Sequence, residues 1–104
     1  MAAAILQYVF KPNPGADLGE LMALVKESAK LWKKHGADVN LWSVQVGEIG
    51  NMAFVARFES SAKLGATVEA LNADPAFMAW RAKSIKSGLA TWVRSNQLYE
   101  VPLS

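Results

Sequence analysis

Residues 2–10, AAAILQYVF, are crowded with β-branched and aromatic side chains and stop at KPNPG, where two prolines and a glycine fall within five residues. That is the pattern of a strand delivered into a turn. From Leu18 the period changes. Leu18, Leu21, Met22, Val25, Ala29 and Trp32 recur at helical spacing, opposite Lys26, Glu27, Lys30 and Lys33, which predicts an amphipathic helix over about 17–35. Asp17, three residues before Glu20, supplies its start. KKHG supplies its end, with cations in the last turn and Gly36 able to take a left-handed cap. VNLWSVQV and NMAFVARFES then flank GEIG and read as a β-hairpin. A second helix starts at Ser60 or Ser61, with Leu64, Val68 and Leu71 on one face. ADP at 73–75 ends it and begins a third. Asp is a preferred N-cap, and Pro suits the first helical position because its missing N–H would go unpaired there. The third helix runs to about Ser87 and is stopped by Gly88. Its inward face is expected to carry Phe77 or Met78, Trp80 or Arg81, and Ile85. TWVRSNQLYEVPL closes the chain as a strand, with Pro102 confined to its end.

The order β-α-β-β-α-α-β predicts an α+β protein of ferredoxin-like topology, a four-stranded antiparallel sheet with helices on one face. Alternation along the strands sorts the residues further. One parity, Leu6, Tyr8, Phe10, Trp42, Val44, Val46, Phe54, Ala56 and Phe58, is wholly apolar and is assigned to the helix side. The other, Ile5, Gln7, Val9, Leu41, Ser43, Gln45, Ala53, Val55 and Arg57, is half apolar and half polar. A face open to water should be more polar than that. The mixture is expected under a second copy of the chain, two such sheets closing into a dimeric barrel.

The 104 residues have the length of one domain, 1–104, and their 52% hydrophobic content is high for a small monomer, which again points to covered surface. A net charge of +2 with scattered Lys and Arg lacks the basic stripe of a nucleic-acid binder. With no cysteine, disulfides, thiolate metal sites and a Cys nucleophile are excluded. The N-terminal apolar run reaches only Phe10, too short to span a membrane, and has no charged segment before it. A cytoplasmic address is the resulting expectation.

Tyr8 with KPNPG, the hairpin LWSVQVGEIGN, the strand FVARFES and then ALNADPAFMAWRAK resemble the NIPSNAP-like branch of the dimeric α+β barrel superfamily over nearly the whole chain. The resemblance implies a ferredoxin-like protomer, a homodimer with facing sheets, and a cavity between sheet and helices. That superfamily includes cofactor-free monooxygenases, haem-degrading enzymes, polyketide cyclases and proteins of unassigned role. Its haem-degrading members carry a histidine near the helix before the last strand, and residues 75–88 have none here.

Candidate chemistry is sparse. His35, the only histidine, reads as a solvated last-turn cation, and the acids Asp17, Asp38, Asp74, Glu48 and Glu59 read as caps and loop residues. No metal or other cofactor is called for. The four tryptophans come from four different elements and suit core packing, with Trp80 and Trp92 the candidates to wall an apolar pocket with Tyr8 or Phe77 instead. Gln7, Gln45 and Arg57 are the polar groups aimed at the open face, where they either hydrogen-bond across the dimer interface or line a site. In a site, Arg57 would hold a carboxylate or enolate while Gln7 and Gln45 oriented a carbonyl. The expected function is a homodimer binding a small apolar or aromatic molecule, with cofactor-free oxygenation or isomerisation as the candidate activity. The alternative is a non-enzymatic, dimeric interaction or stress-associated domain whose apolar surface serves only to dimerise.

Overall fold

A computed structural model describes residues 2–103. Seven elements follow one another: β1 (Ala4–Pro12), α1 (Leu18–Lys34), β2 (Asp38–Ser43), β3 (Met52–Phe58), α2 (Ser61–Asn72), α3 (Pro75–Ser87) and β4 (Ala90–Tyr99). The strands form one sheet in the order β2-β3-β1-β4, every neighbouring pair antiparallel, with the three helices on one face. This is the ferredoxin-like α+β architecture. The helix boundaries follow the capping chemistry. Asp17 accepts from the Glu20 amide at 3.1 Å and Ser60 from that of Lys63 at 3.2 Å, while Asp74 accepts from Ala76 at 2.9 Å. Gly88 ends α3 with φ 65°, a left-handed position that costs glycine little.

The core lies between sheet and helices and centres on Trp32, which is 4% exposed. Its ring meets those of Tyr8, Phe54, Phe58 and Phe77 with centroids 5.9, 6.2, 6.4 and 6.2 Å away. Leu64 and Leu71 of α2 close the cluster with Val68 partly buried beside them, as the helical spacing predicts.

Three expectations are corrected. In β2 the parity is reversed. Asn40 pairs with Val55 and Trp42 with Ala53, so Trp42 stands on the open face, 60% exposed, and Val39, Leu41 and Ser43 face the helices. Apolar residues at 39, 41 and 42 satisfy either parity, and the choice goes to the one that sends Val39 and Leu41 inward and the polar Asn40 out. The hairpin loop is also longer than GEIG. Residues 44–51 lie outside both strands, tied by Val44 N–H to Asn51 O at 2.9 Å, so Val44, Gln45 and Val46 are loop residues. Finally, α3 turns Phe77 toward the core and Trp80 toward α1, leaving Arg81 exposed and Ile85 74% exposed.

His35 is a further correction, for it is not a solvated cation. Its side chain is 19% exposed, and Nε2 lies 2.8 Å from Asp74 Oδ2, which also accepts from Lys34 Nζ at 3.1 Å. The Asp-Pro corner thus caps α3 and ties it to the end of α1. The His35 hydrogen bond foremost, then those from Ala76 and Lys34, lower the Asp74 pKa from 3.8 to about 2. A carboxyl depressed by folding stabilises the protein above its unfolded pKa and loses that contribution as pH falls through the folded value. Asp74→Asn keeps a capping side chain but removes the charge. Its acid-unfolding curve is expected to lie below the wild type above pH ~4 and to converge with it near pH ~2. Parallel curves across that window would contradict the assignment.

Candidate functional site

The helices leave one part of the sheet uncovered. α3 is fastened to α1, with Trp80 Nε1 donating to Leu24 O at 2.9 Å and Lys83 Nζ 2.8 Å from Glu27 Oε1. It packs on α1 and α2 rather than on β4. On the helix side of β4, Trp92, Ser95, Gln97 and Tyr99 therefore remain exposed. These residues and their β1 neighbours Tyr8 and Phe10 border the space between α3 and β4, the candidate trough.

A bulge aims Trp92 into it. Arg94 pairs with Val9 on the open face, so strict alternation would send Trp92 there too. The β1–β4 register shifts between Val9 and Phe10, and Trp92 instead pairs with Phe10 on the helix side. An extra residue, Val93, re-aims the side chain before it, a recurring use of β-bulges. The Trp92 ring stands edge-on to Tyr8 at 6.3 Å and stays 65% exposed.

From α3, Phe77 bounds the trough where it meets Trp32, and Arg81 stands one turn further along the same helix. Burial raises the Tyr8 phenol above its ordinary value of 10.0, with the Arg81 guanidinium pulling it back down. Tyr8 is therefore a neutral hydrogen-bond donor at physiological pH. Among the described residues its hydroxyl has no partner, yet no fully buried polar side-chain atom is unsatisfied, so the hydroxyl opens onto solvent in the trough. Arg81 belongs to none of the five ion pairs among the described residues.

Of the residues singled out from sequence, Trp92 lies in this trough and the other four lie elsewhere. Trp80 sits in the α1–α3 seam, stacked on Phe77 at 5.6 Å. Gln7 is on the open face, where its Oε1 accepts from Asn96 Nδ2 at 2.8 Å. Gln45 is in the hairpin loop, donating to Ser43 Oγ at 2.8 Å. Arg57 is on the open face opposite Ile5 and Asp38. It borders a separate open depression of about 560 Å³ with Asp38, Phe58, Glu59, Lys63 and Glu100, a charged lining without tryptophan. Sequence reasoning missed Arg81 as a site residue. Its signal was its helical surroundings: the positions three and four away are Phe77, Met78, Ser84 and Ile85, none of which can neutralise it. Among the described residues no group of three His, Asp or Glu side chains gathers to hold a metal ion, and no helix is long and apolar enough to cross a membrane.

No protein-family model matches the chain, and no curated protein does. Solved structures do. A NIPSNAP domain protein from Burkholderia xenovorans superposes with a TM-score of 0.70 at 17% identity, covering 100% of this chain and 96% of that one. A NIPSNAP family protein of unknown function from Agrobacterium tumefaciens gives 0.69 at 20%, covering 100% and 91%. SnoaB, a cofactor-independent oxygenase from Streptomyces nogalater, gives 0.65 at 11%, covering 100% and 96%. At these identities the likeness is one of fold. The chain has the ferredoxin-like α+β fold that the NIPSNAP-domain proteins and SnoaB share.

Proposed function

We propose that this protein is a homodimer, closed through the open sheet faces, that binds a small apolar or aromatic molecule in the trough between α3 and β4. The observation that carries the ligand reading is Trp92, a large aromatic ring that a bulge turns to the helix side and that the described residues leave 65% exposed. Ligand sites are mostly apolar with a few placed polar groups, and Trp92, Tyr8, Phe10 and Phe77 beside a free hydroxyl and guanidinium fit that description. In this reading Trp80 braces α3, while Gln7 and Arg57 belong to the dimer face. Cofactor-free oxygenation or isomerisation is the candidate activity. The likeness in fold to SnoaB supports it, and so does a trough that offers charge stabilisation but no carboxylate or imidazole among its described residues.

The dimer reading rests on the other face. Ile5, Val55, Trp42 and Leu98 lie on it, and Val46 and Ile49 are exposed in the loop that reaches across it, held by the ion pair of Glu48 with Arg94. Contiguous apolar surface of this kind marks an interaction site. The molecule is a slab of 47 × 36 × 17 Å, whose broad face is ample for the ~800 Å² per partner of a standard interface.

The four indole N–H groups report separately on the trough (Trp92), the core (Trp32), the α1–α3 seam (Trp80) and the open face (Trp42). Titration with naphthalene derivatives, followed by two-dimensional NMR of those four signals, is expected to move Trp92 most and leave Trp42 in place. Movement of Trp42 instead would relocate the site to the sheet face. No movement at millimolar ligand would favour the non-enzymatic, dimeric interaction domain.

A further inference from the structure

The trough holds two polar groups that the chain itself leaves unused. The Tyr8 hydroxyl has no partner among the described residues, and the Arg81 guanidinium has no ion pair there. Tyr8 stands on the sheet floor, and Arg81 stands on α3 one turn past Phe77, whose ring packs on the same Trp32 as Tyr8, close enough for its charge to act on the phenol. α3 itself carries no acid, and neither its N-cap Asp74 nor Glu59 of the depression is free. Asp74 is held by His35, Lys34 and the Ala76 amide, and Glu59 by Lys63.

We infer that the trough selects an aromatic molecule bearing an anionic oxygen, a carboxylate or an enolate, with Arg81 and the Tyr8 hydroxyl on the oxygen and Trp92 against the ring. This rests on the ligand reading above and adds the charge of the ligand. The chemistry follows from what each group lacks. A guanidinium presents a planar fork of donors that matches a carboxylate in two parallel hydrogen bonds. A phenol held neutral adds a third donor without competing for the charge. A neutral aromatic would cover Arg81 while leaving it unpaired, and a cation that loses water without gaining a partner is penalised. The anion is therefore favoured both by what it gains and by what the neutral molecule costs.

The test compares 1-naphthoate with 1-naphthamide, which share a ring and a shape and differ in charge, by isothermal titration of the full chain. Naphthoate is expected to bind about tenfold or more tightly, the usual scale for hydrogen bonds to a charged group. Arg81→Gln should abolish that preference while keeping naphthamide affinity, and Tyr8→Phe should narrow it. Arg81→Lys, which keeps the charge but loses the fork, should fall between wild type and Arg81→Gln. Circular dichroism identifies any variant that fails to fold, and the wild-type comparison decides the matter without it. Naphthamide binding as tightly as naphthoate would overturn the inference and leave the aromatic site standing. A preference that survives Arg81→Gln but is lost in Arg57→Gln would overturn it by moving the anion to the open face. Binding of neither compound would bring down the site and the inference together.

Discussion

Replacing Trp32 with alanine is expected to remove about 3–5 kcal/mol of folding stability, the range for truncating a buried large aromatic. Domains of this kind hold only about 5–15 kcal/mol in all, so the substitution should remove a large share of the total. The size of the effect follows from position. Trp32 ends the apolar stripe of α1, is 4% exposed, and is the single ring that touches aromatic side chains from β1, β3 and α3. Its loss would leave a cavity that Tyr8, Phe54, Phe58 and Phe77 all border. None of them can fill it without leaving its own rotamer. Urea unfolding gives the measurement: a lowered midpoint with an unchanged slope reports lost stability rather than an altered unfolded state. Trp32→Phe keeps an aromatic at the centre and is expected to cost less. A loss below ~1 kcal/mol in Trp32→Ala would mean that the core is organised around some other residue.

The elements were legible in the sequence because their signals are local. Asp17, Ser60 and Asp74 cap the helices they precede, and Gly88 ends α3 where its freedom of φ is needed. The apolar stripe of α1 likewise reports on burial, and the alternation of β1 and β3 reports on the face each residue takes, although Val9 and Ala53 on the other face are buried as well. What was not legible depends on register. In β2, Trp42 and Leu41 are adjacent apolar residues, so alternation cannot choose a face, and the eight-residue loop 44–51 hides how the hairpin closes. In β4, the bulge at Val93 reverses the parity of Trp92, and nothing in SNQLYE or TWV announces it. The site inherits both problems. Sequence alone proposes Trp92 for a pocket wall on its apolar bulk and offers Arg81 only as an alternative to Trp80 on the inward face of α3. Its candidacy depends on the commitment of Trp80 to Leu24 O, which leaves Arg81 the exposed member of that pair. The partnership of His35 with Asp74, 39 residues apart, is a tertiary contact that no local pattern encodes.

Val55→Glu is expected to split the proposed dimer. Val55 lies on the open face between Gln7 of β1 and Asn40 of β2, at the middle of the two inner strands. In a two-fold pair the substitution buries two carboxylates in one apolar interface. An unpaired charge taken from water costs several kcal/mol, enough to offset much of the energy of a standard interface. The separated chain would then hold Trp42, Leu98, Val46 and Ile49 in water and should be prone to aggregate. Trough binding offers a control, since the trough lies on the other face of the sheet. Among all the measurements, sedimentation velocity of the wild-type chain at micromolar concentration tests the proposed face-to-face dimer most directly. It is expected to give a single species at twice the chain mass of 11.3 kDa. A stable species at 11.3 kDa, with that face left in water, would contradict it.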